Sequence, residues 1–258
     1  MPEGDVLHRA ARAPQPLVGE RVQAESPHPR GALSGVAARV DGRVLESVEA
    51  VGKNLLLRFE GGLLVRSHLR MSGRWRVVPR GAPLLGQPWL VLRGERWEAR
   101  QLGGPVLELV GSPLEVTRRL GPDVLAPDAD PLALAARLRE AGPGAAIGDV
   151  LLDQRVLAGV GNMWKAEALW AARVSPWARV GDLPGEALAE VAGAVVRLMR
   201  GALDEGRESK AVYGRAGRPC SRCGARIRSF PQGDDARTAY WCPGCQEPLG
   251  TGPKRPPA

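Results

Sequence analysis

The sequence predicts an α+β protein of two domains, and three observations carry that reading. Short β-like runs separated by glycine turns fill the first half. From Leu132 the apolar residues switch to helical spacing, with Ala and Leu at i, i+3 and i+4. All four cysteines then fall in one cluster near the C-terminus.

In chain order, a first helix is expected through Val6, Leu7 and Ala10, and the proline-containing stretch 14–30 is expected to be irregular. The β-like runs are Ala37–Val40, Val44–Val51, Asn54–Phe59, Leu63–Ser67, Arg74–Val78, Trp89–Leu92, Arg96–Ala99 and Val106–Leu109. Turns such as Asp41-Gly42, Gly61-Gly62 and Arg93-Gly94 separate them, which predicts an antiparallel sandwich or barrel. Gly111–Pro131 reads as a linker. Helices are expected over Leu132–Ala141, Ile147–Asp153, Met163–Ala172 and Glu186–Leu203. The polar, proline-rich residues 247–258 read as a disordered tail.

The 258 residues carry a formal net charge of +8, and nearly all of the basic residues are Arg. Guanidinium forks suit phosphate oxygens, so a polyanion is the expected partner. An Arg-for-Lys habit of a GC-rich genome would enrich Arg as well, so the net excess of charge is the better signal. Glu3 and Asp5 stand where a signal peptide would be basic and then apolar, and no apolar run is long enough to span a bilayer. A cytoplasmic protein without membrane contact is expected, where disulfides are rare.

The N-terminus carries the first chemical signal. Removal of Met1 leaves Pro2 with a secondary amine, and α-amino groups titrate at roughly 7.7–8. The uncharged amine can attack an electrophilic carbon and form a Schiff base. Glu3 is an acid placed to move protons at the same centre. Pro2 and Glu3 also suit a helix's first turn, whose positive end favours the deprotonated amine. Many chains, however, begin Met-Pro for no catalytic reason.

Two further motifs stand apart. Cys220-Ser-Arg-Cys223 and Cys242-Pro-Gly-Cys245 give C-x2-C twice, the spacing of a four-thiolate site for one structural Zn2+. Ala225–Phe230 and Thr238–Trp241 read as the strands between the knuckles, with Asp234-Asp235 in their turn. Asp153–Asn162 reads as a tight, glycine-bearing turn between two helices, with Asn162 as the N-cap of the second. Backbone N–H groups there form an anion site fit for a DNA phosphate. Close packing of two helices would ask for the same glycines.

Together these motifs resemble the formamidopyrimidine-DNA glycosylase and endonuclease VIII family. The resemblance rests on Met1-Pro2-Glu3-Gly4, Gly52-Lys53, Ser67-His68-Leu69-Arg70-Met71-Ser72-Gly73, the Asp153–Asn162 turn with Glu167 behind it, and the cysteine hairpin ending Arg237–Gln246. It is strongest to the actinobacterial endonuclease VIII-like branch, through Gly4-Asp5 and Leu151–Gly161. It implies an N-terminal antiparallel β-sandwich with an N-terminal helix (1–115, catalytic) and a linker (116–131). A helix-two-turn-helix DNA-binding domain (132–214), a zinc-finger β-hairpin (215–246) and the tail would follow.

The resemblance implies a monomeric bifunctional DNA glycosylase/AP lyase of base excision repair, acting on double-stranded DNA with a damaged base or an abasic site. Pro2 would be the nucleophile, Glu3 the acid, and Lys53 would reach the flanking phosphate or sugar. His68, Asn162 and Arg237 would hold phosphates about the everted nucleotide. Met71 would fill the hole, with Arg70 beside it. Arg100-Gln101-Leu102-Gly103 lacks the Arg and Phe with which formamidopyrimidine-DNA glycosylases support the orphaned base. The stretch 201–213 is too short for their purine-covering loop. Both departures favour oxidised pyrimidines over 8-oxoguanine or formamidopyrimidines. A non-catalytic binder of damaged DNA is the competing class, and it would need neither Pro2, Glu3 nor Lys53.

Overall fold

The computed structural model describes residues 2–104, 106–206 and 210–246, so the tail expected at 247–258 lies outside the described residues. The chain forms two compact units, dividing between Arg119 and Leu120.

The first unit is a sandwich of two four-stranded sheets, every neighbouring pair antiparallel. Its elements are α1 (Gly4–Arg12), β1 (Gln23–Glu25), α2 (Pro29–Leu33), α3 (Val36–Val40), β2 (Leu45–Val51) and β3 (Asn54–Phe59). There follow β4 (Leu63–His68), β5 (Arg74–Pro79), β6 (Leu90–Arg93), β7 (Trp97–Leu102), β8 (Val106–Val110) and α4 (Pro113–Thr117). One sheet has the order β1-β6-β7-β5, the other β2-β3-β4-β8. Leu55, Leu57, Phe59, Val65, Leu90 and Leu92 fill the space between the sheets, joined by Leu7, Ala10 and Ala11 of α1. Burying such side chains stabilises the fold by roughly 1.5–3 kcal/mol each.

Several expectations are corrected here. Ala37–Val40 is not a strand but part of the one-turn helix α3, because Val36, Ala37 and Val40 share the inward face of a single turn. The stretch 14–30 holds β1, a 3-10 turn and the start of α2, and α4 lies within the expected linker. Helix α1 begins at Gly4 rather than Pro2. Glu3 is its N-cap in an extended conformation (φ −111°, ψ −177°), and its carbonyl accepts from Val6 and Leu7.

The register gathers several turns at one end of the sandwich. Val51 pairs with Asn54, leaving Gly52-Lys53 as a two-residue hairpin turn. Gly52 has φ 58°, which a glycine at the first turn position takes without steric cost. On the adjacent hairpin Leu55 pairs with Ser67, and His68 pairs with Val106. The chain then turns through 69–73 into the second sheet, where Arg74 pairs with Leu102.

The second unit is helical: α5 (Pro131–Glu140), α6 (Ile147–Val150), α7 (Asn162–Ala171) and α8 (Gly185–Glu205), followed by the hairpin β9 (Arg228–Gln232) and β10 (Arg237–Trp241). Leu134, Leu138, Leu157, Trp164, Val195 and Met199 are among its core. Val124 and Leu125, within the stretch read as linker, are buried in that core. Asp130 caps α5 by accepting the N–H groups of Leu132 and Ala133. Helix α6 ends at Val150, shorter than expected, because the chain turns into the loop toward α7. Among the described residues no helix is long and apolar enough to cross a membrane.

Candidate active site and metal centre

In the first unit the candidate residues gather at the turn end of the sandwich. The chain leaving α1 lies alongside β2: Gln15 Nε2 donates to the Val48 carbonyl (3.2 Å) and Gly19 N to Leu45 (2.8 Å). Helix α1 itself packs against β2 and β3. Pro2 is half-buried just ahead of the N-cap, and the Glu3 side chain is buried. The positive end of α1 disfavours protonation of an amine placed there.

His68 lies close to Lys53, Arg66 and Arg70, whose charges it feels. Its Nδ1 accepts the Arg70 backbone N–H (3.0 Å), which leaves Nε2 to carry the proton of the neutral ring. Burial first, then the charges of Arg70, Arg66 and Lys53, pulls this imidazole down to about 4. The unfolded ring keeps its ordinary value near 6.5. Between these values only the unfolded chain binds the proton. The contribution to stability is thus complete above pH 6.5 and is lost as pH falls toward 4. In an NMR titration of the free protein the His68 ring signals should stay flat from pH 8 to 5. A midpoint near 6.5 would contradict this environment.

Arg70 takes a left-handed backbone conformation (φ 51°), rare for a residue with a Cβ and held here by the bond to His68. Next to it Met71 is 67% exposed while Leu69 is fully buried. The turn closes through Gly73 N to the Leu69 carbonyl (2.8 Å). Beneath it Ser67 Oγ accepts from Gln101 Nε2 (2.8 Å) and Trp75 Nε1 (3.3 Å). An apolar side chain is thus held out in water on a braced turn. Arg100 is occupied elsewhere, by the buried Glu98 and the Pro83 carbonyl.

In the second unit Asn162 is the first residue of α7, and Gly161 is the N-cap that the sequence had assigned to Asn162. The reason is that the Asn162 side chain turns outward from the helix end: its Nδ2 donates to the Thr238 carbonyl (2.8 Å). That bond ties α7 to β10 and brings Arg237, the first residue of β10, beside it. Arg237 lies 3.9 Å from Asp235 and lines a cavity of about 450 Å³ with Arg155, Asp149 and Gln232. Gln154 braces the turn before α7, donating to the Val160 carbonyl (2.9 Å) and accepting from Gly159 N.

Several supporting residues carry no motif in the sequence. Lys165 is fully buried, with Nζ 3.3 Å from Gln232 Oε1 and the Asp149 charge nearby. Its one warning is a Lys among apolar neighbours in a Lys-poor chain. Gln232 also donates to the Pro176 carbonyl (2.7 Å), and Gln246 to Val174 (2.8 Å). Glu167 accepts the N–H groups of Ala211, Val212 and Tyr213, fixing the chain just before the cysteine hairpin.

The four cysteine sulfurs lie within 4.8 Å of one another. Cys220 to Cys245 is 3.9 Å and Cys223 to Cys242 is 3.4 Å, far longer than a disulfide at about 2.05 Å. A tetrahedral ion with Zn–S bonds of about 2.3 Å would place sulfurs about 3.8 Å apart, between the two observed values. Burial, aided by Cys223 and Cys220, pushes the Cys242 thiol up to about 12. Four thiolates this close need a cation. The group is docked on α7 by Arg222, which donates to the Trp170 carbonyl (2.9 Å) and stacks 3.9 Å from its ring. These residues fit a structural metal.

Comparison with known proteins agrees with this geometry. Residues 1–101 match the formamidopyrimidine-DNA glycosylase N-terminal domain, and residues 120–213 match its H2TH domain. A Streptomyces coelicolor protein named probable endonuclease 8 2 is 40% identical, over 95% of this chain and 94% of its own length. The chain belongs to the formamidopyrimidine-DNA glycosylase and endonuclease VIII family. This family member is a DNA glycosylase and DNA-(apurinic or apyrimidinic site) lyase. A Mycolicibacterium smegmatis DNA-(apurinic or apyrimidinic site) lyase Nei2 is 35% identical, over 95% of this chain and 99% of its own length. In fold the glycosylase is also similar to a Lactococcus lactis Fpg solved with abasic-site DNA. The TM-score is 0.82 at 24% identity, over 95% of this chain and 99% of that one.

Proposed function

We propose that this glycosylase removes oxidised pyrimidines from double-stranded DNA through a Schiff base on Pro2 and then cuts the strand by β,δ-elimination. The observation that carries this reading is the gathering of Lys53, His68, Arg70 and Met71 at one end of the sandwich against which α1, with Pro2 and Glu3 at its start, packs.

The Pro2 nitrogen lone pair attacks C1′ of the extruded nucleoside, and the base leaves with the bonding pair. Glu3 protonates the ring oxygen as the C1′–O4′ bond breaks, giving an open-chain iminium. The iminium acidifies the C2′ proton; its loss expels the 3′ phosphate, and a second elimination expels the 5′ phosphate. Hydrolysis of the imine returns the free amine. Lys53 and neutral His68 donate to the flanking phosphates, and Asn162 and Arg237 grip the backbone from the second unit. Met71 takes the place of the extruded base, which offsets part of an unstacking cost of a few kcal/mol. A bound divalent zinc ion would fix the hairpin that carries Arg237 and takes no part in the chemistry.

Support for the pyrimidine preference comes from the short stretch after α8 and from Arg100, which is committed to Glu98 and so leaves no second loop residue for the orphaned base. A panel of duplexes with single lesions tests it. Thymine glycol, 5-hydroxyuracil and dihydrouracil should be excised at least about tenfold faster than 8-oxoguanine, a difference of about 1.4 kcal/mol in the barrier. Faster release of 8-oxoguanine would reverse the assignment.

A further inference from the structure

We propose that the exposed face of α2, with Arg30 and Leu33, is a second DNA contact that grips the duplex several base pairs from the damaged nucleotide. The proposal rests on the glycosylase reading above.

Sheet register places α2. Strand β1 runs from Gln23, opposite Arg93, to Glu25, opposite Val91, so the chain leaves it toward Leu90. Leu90 pairs with Gln101, and Gln101 with Trp75. The chain after Glu25 thus emerges at the same sheet end as the Met71 turn, but at the opposite edge. Because α2 then packs on Trp89 at the start of β6, two to three strand spacings of about 4.8 Å separate it from β5, about 10–14 Å or about three to four base steps.

The mounting of α2 is firm. His28 stacks on Trp89 (ring centroids 4.9 Å, 18° between planes), and its backbone N–H donates to the Pro88 carbonyl (3.0 Å). His28 Nδ1 accepts the Arg30 N–H (3.1 Å), and Ser34 Oγ donates to the Gly31 carbonyl (2.6 Å). Gly31 lies so close to Trp89 that a Cβ would fall on its carbonyl oxygen. What this fixed turn presents outward is Leu33, 87% exposed, with Arg30. Among the described residues Leu33 is the most exposed large apolar side chain, and unlike a singly exposed residue on a loose loop it stands on a turn fixed to Trp89.

Charge identifies the partner as a polyanion. From Pro29 to Val40 the chain carries Arg30 and Arg39, both exposed, and no carboxylate. The nearest acids are engaged: Asp41 accepts the Ala24 N–H and Glu25 pairs with Arg93. An apolar side chain three residues from a guanidinium on the same helical turn suits the sugar edges and phosphates of a DNA groove, where apolar residues pack against nucleotides and Arg against the backbone.

The test measures affinity by fluorescence anisotropy on an undamaged duplex and on one with a stable abasic analogue. Leu33→Asp should weaken both by about tenfold, and Arg30→Ala should lower the salt slope by about one on both. Met71→Ala should act on the damaged duplex alone. Hydroxyl-radical footprints of the wild-type protein should show protection about three to four base pairs from the lesion that Leu33→Asp removes. Wild-type affinity in both α2 variants overturns the proposal. So does a dimer in sedimentation that Leu33→Asp dissolves, because the face would then belong to a second copy of the chain. Failure of the wild-type protein to form a borohydride adduct with abasic DNA would sink the enzymatic reading instead, and the undamaged duplex would still decide the α2 contact.

Discussion

Retention of Met1 ahead of Pro2 is expected to remove strand cleavage almost completely, and replacement of Pro2 by Gly, which leaves a primary amine, to slow it by less. The secondary amine of an N-terminal proline gives a charged iminium on attack at C1′, and that cation makes the C2′ proton acidic. A retained Met1 turns the Pro2 nitrogen into an amide with no nucleophilic lone pair. Loss of a covalent nucleophile costs roughly 10³–10⁶-fold in kcat. The surroundings strengthen the expectation, because Pro2 stands outside α1 at its positive end while Glu3 caps it. The assay is single-turnover cleavage of an abasic duplex. Affinity for the same duplex should change little, since Pro2 is one small contact among several phosphate grips. Cleavage at the wild-type rate with Met1 retained would mean another amine does the work.

Removal of the metal is expected to have the second largest effect, on binding. The cysteine hairpin joins the helical unit through Asn162 to Thr238, Lys165 to Gln232, Gln246 to Val174 and Arg222 to Trp170. Arg237 sits on this hairpin, one residue from the strand position that Asn162 holds. A metal held by Cys220, Cys223, Cys242 and Cys245 would anchor the hairpin, and structural zinc supplies roughly 10–16 kcal/mol to isolated fingers. A chelator, or Cys220→Ser, should therefore weaken DNA binding by about two orders of magnitude, an effect of about 2.8 kcal/mol. The β-sheet circular dichroism of the first unit should persist, because its core contains no residue of the hairpin. Unchanged affinity after complete metal removal would contradict the hairpin's part in DNA binding. Metal analysis of the purified protein identifies the ion.

The sandwich and the helical unit were legible because their patterns repeat: alternating runs between glycine turns, then Ala and Leu at helical spacing. The cysteine hairpin was legible because its ligand spacing is narrow. What escaped was set by tertiary contact. Val36, Ala37 and Val40 suit either a strand or one helical turn, and the core chose the turn. The three residues of β1 carry no alternation of their own and pair only because β6 is adjacent. Glu3 and Asn162 were each misplaced by one or two positions at a helix start, where the cap depends on side-chain partners such as Thr238, 76 residues away. Lys165, Gln232 and Gln246 work as a buried polar frame that no local pattern announces. The candidate residues Lys53, His68, Arg70 and Met71 came from motifs; strand register explains why they meet.

Borohydride reduction of the protein on abasic-site DNA, followed by mass spectrometry of the protease-digested adduct, tests the central claim most directly. The account predicts one reduced adduct, carried by the N-terminal peptide with Pro2 as its first residue. An adduct on Lys53 or another lysine, or none at all with DNA that is still bound, would contradict it.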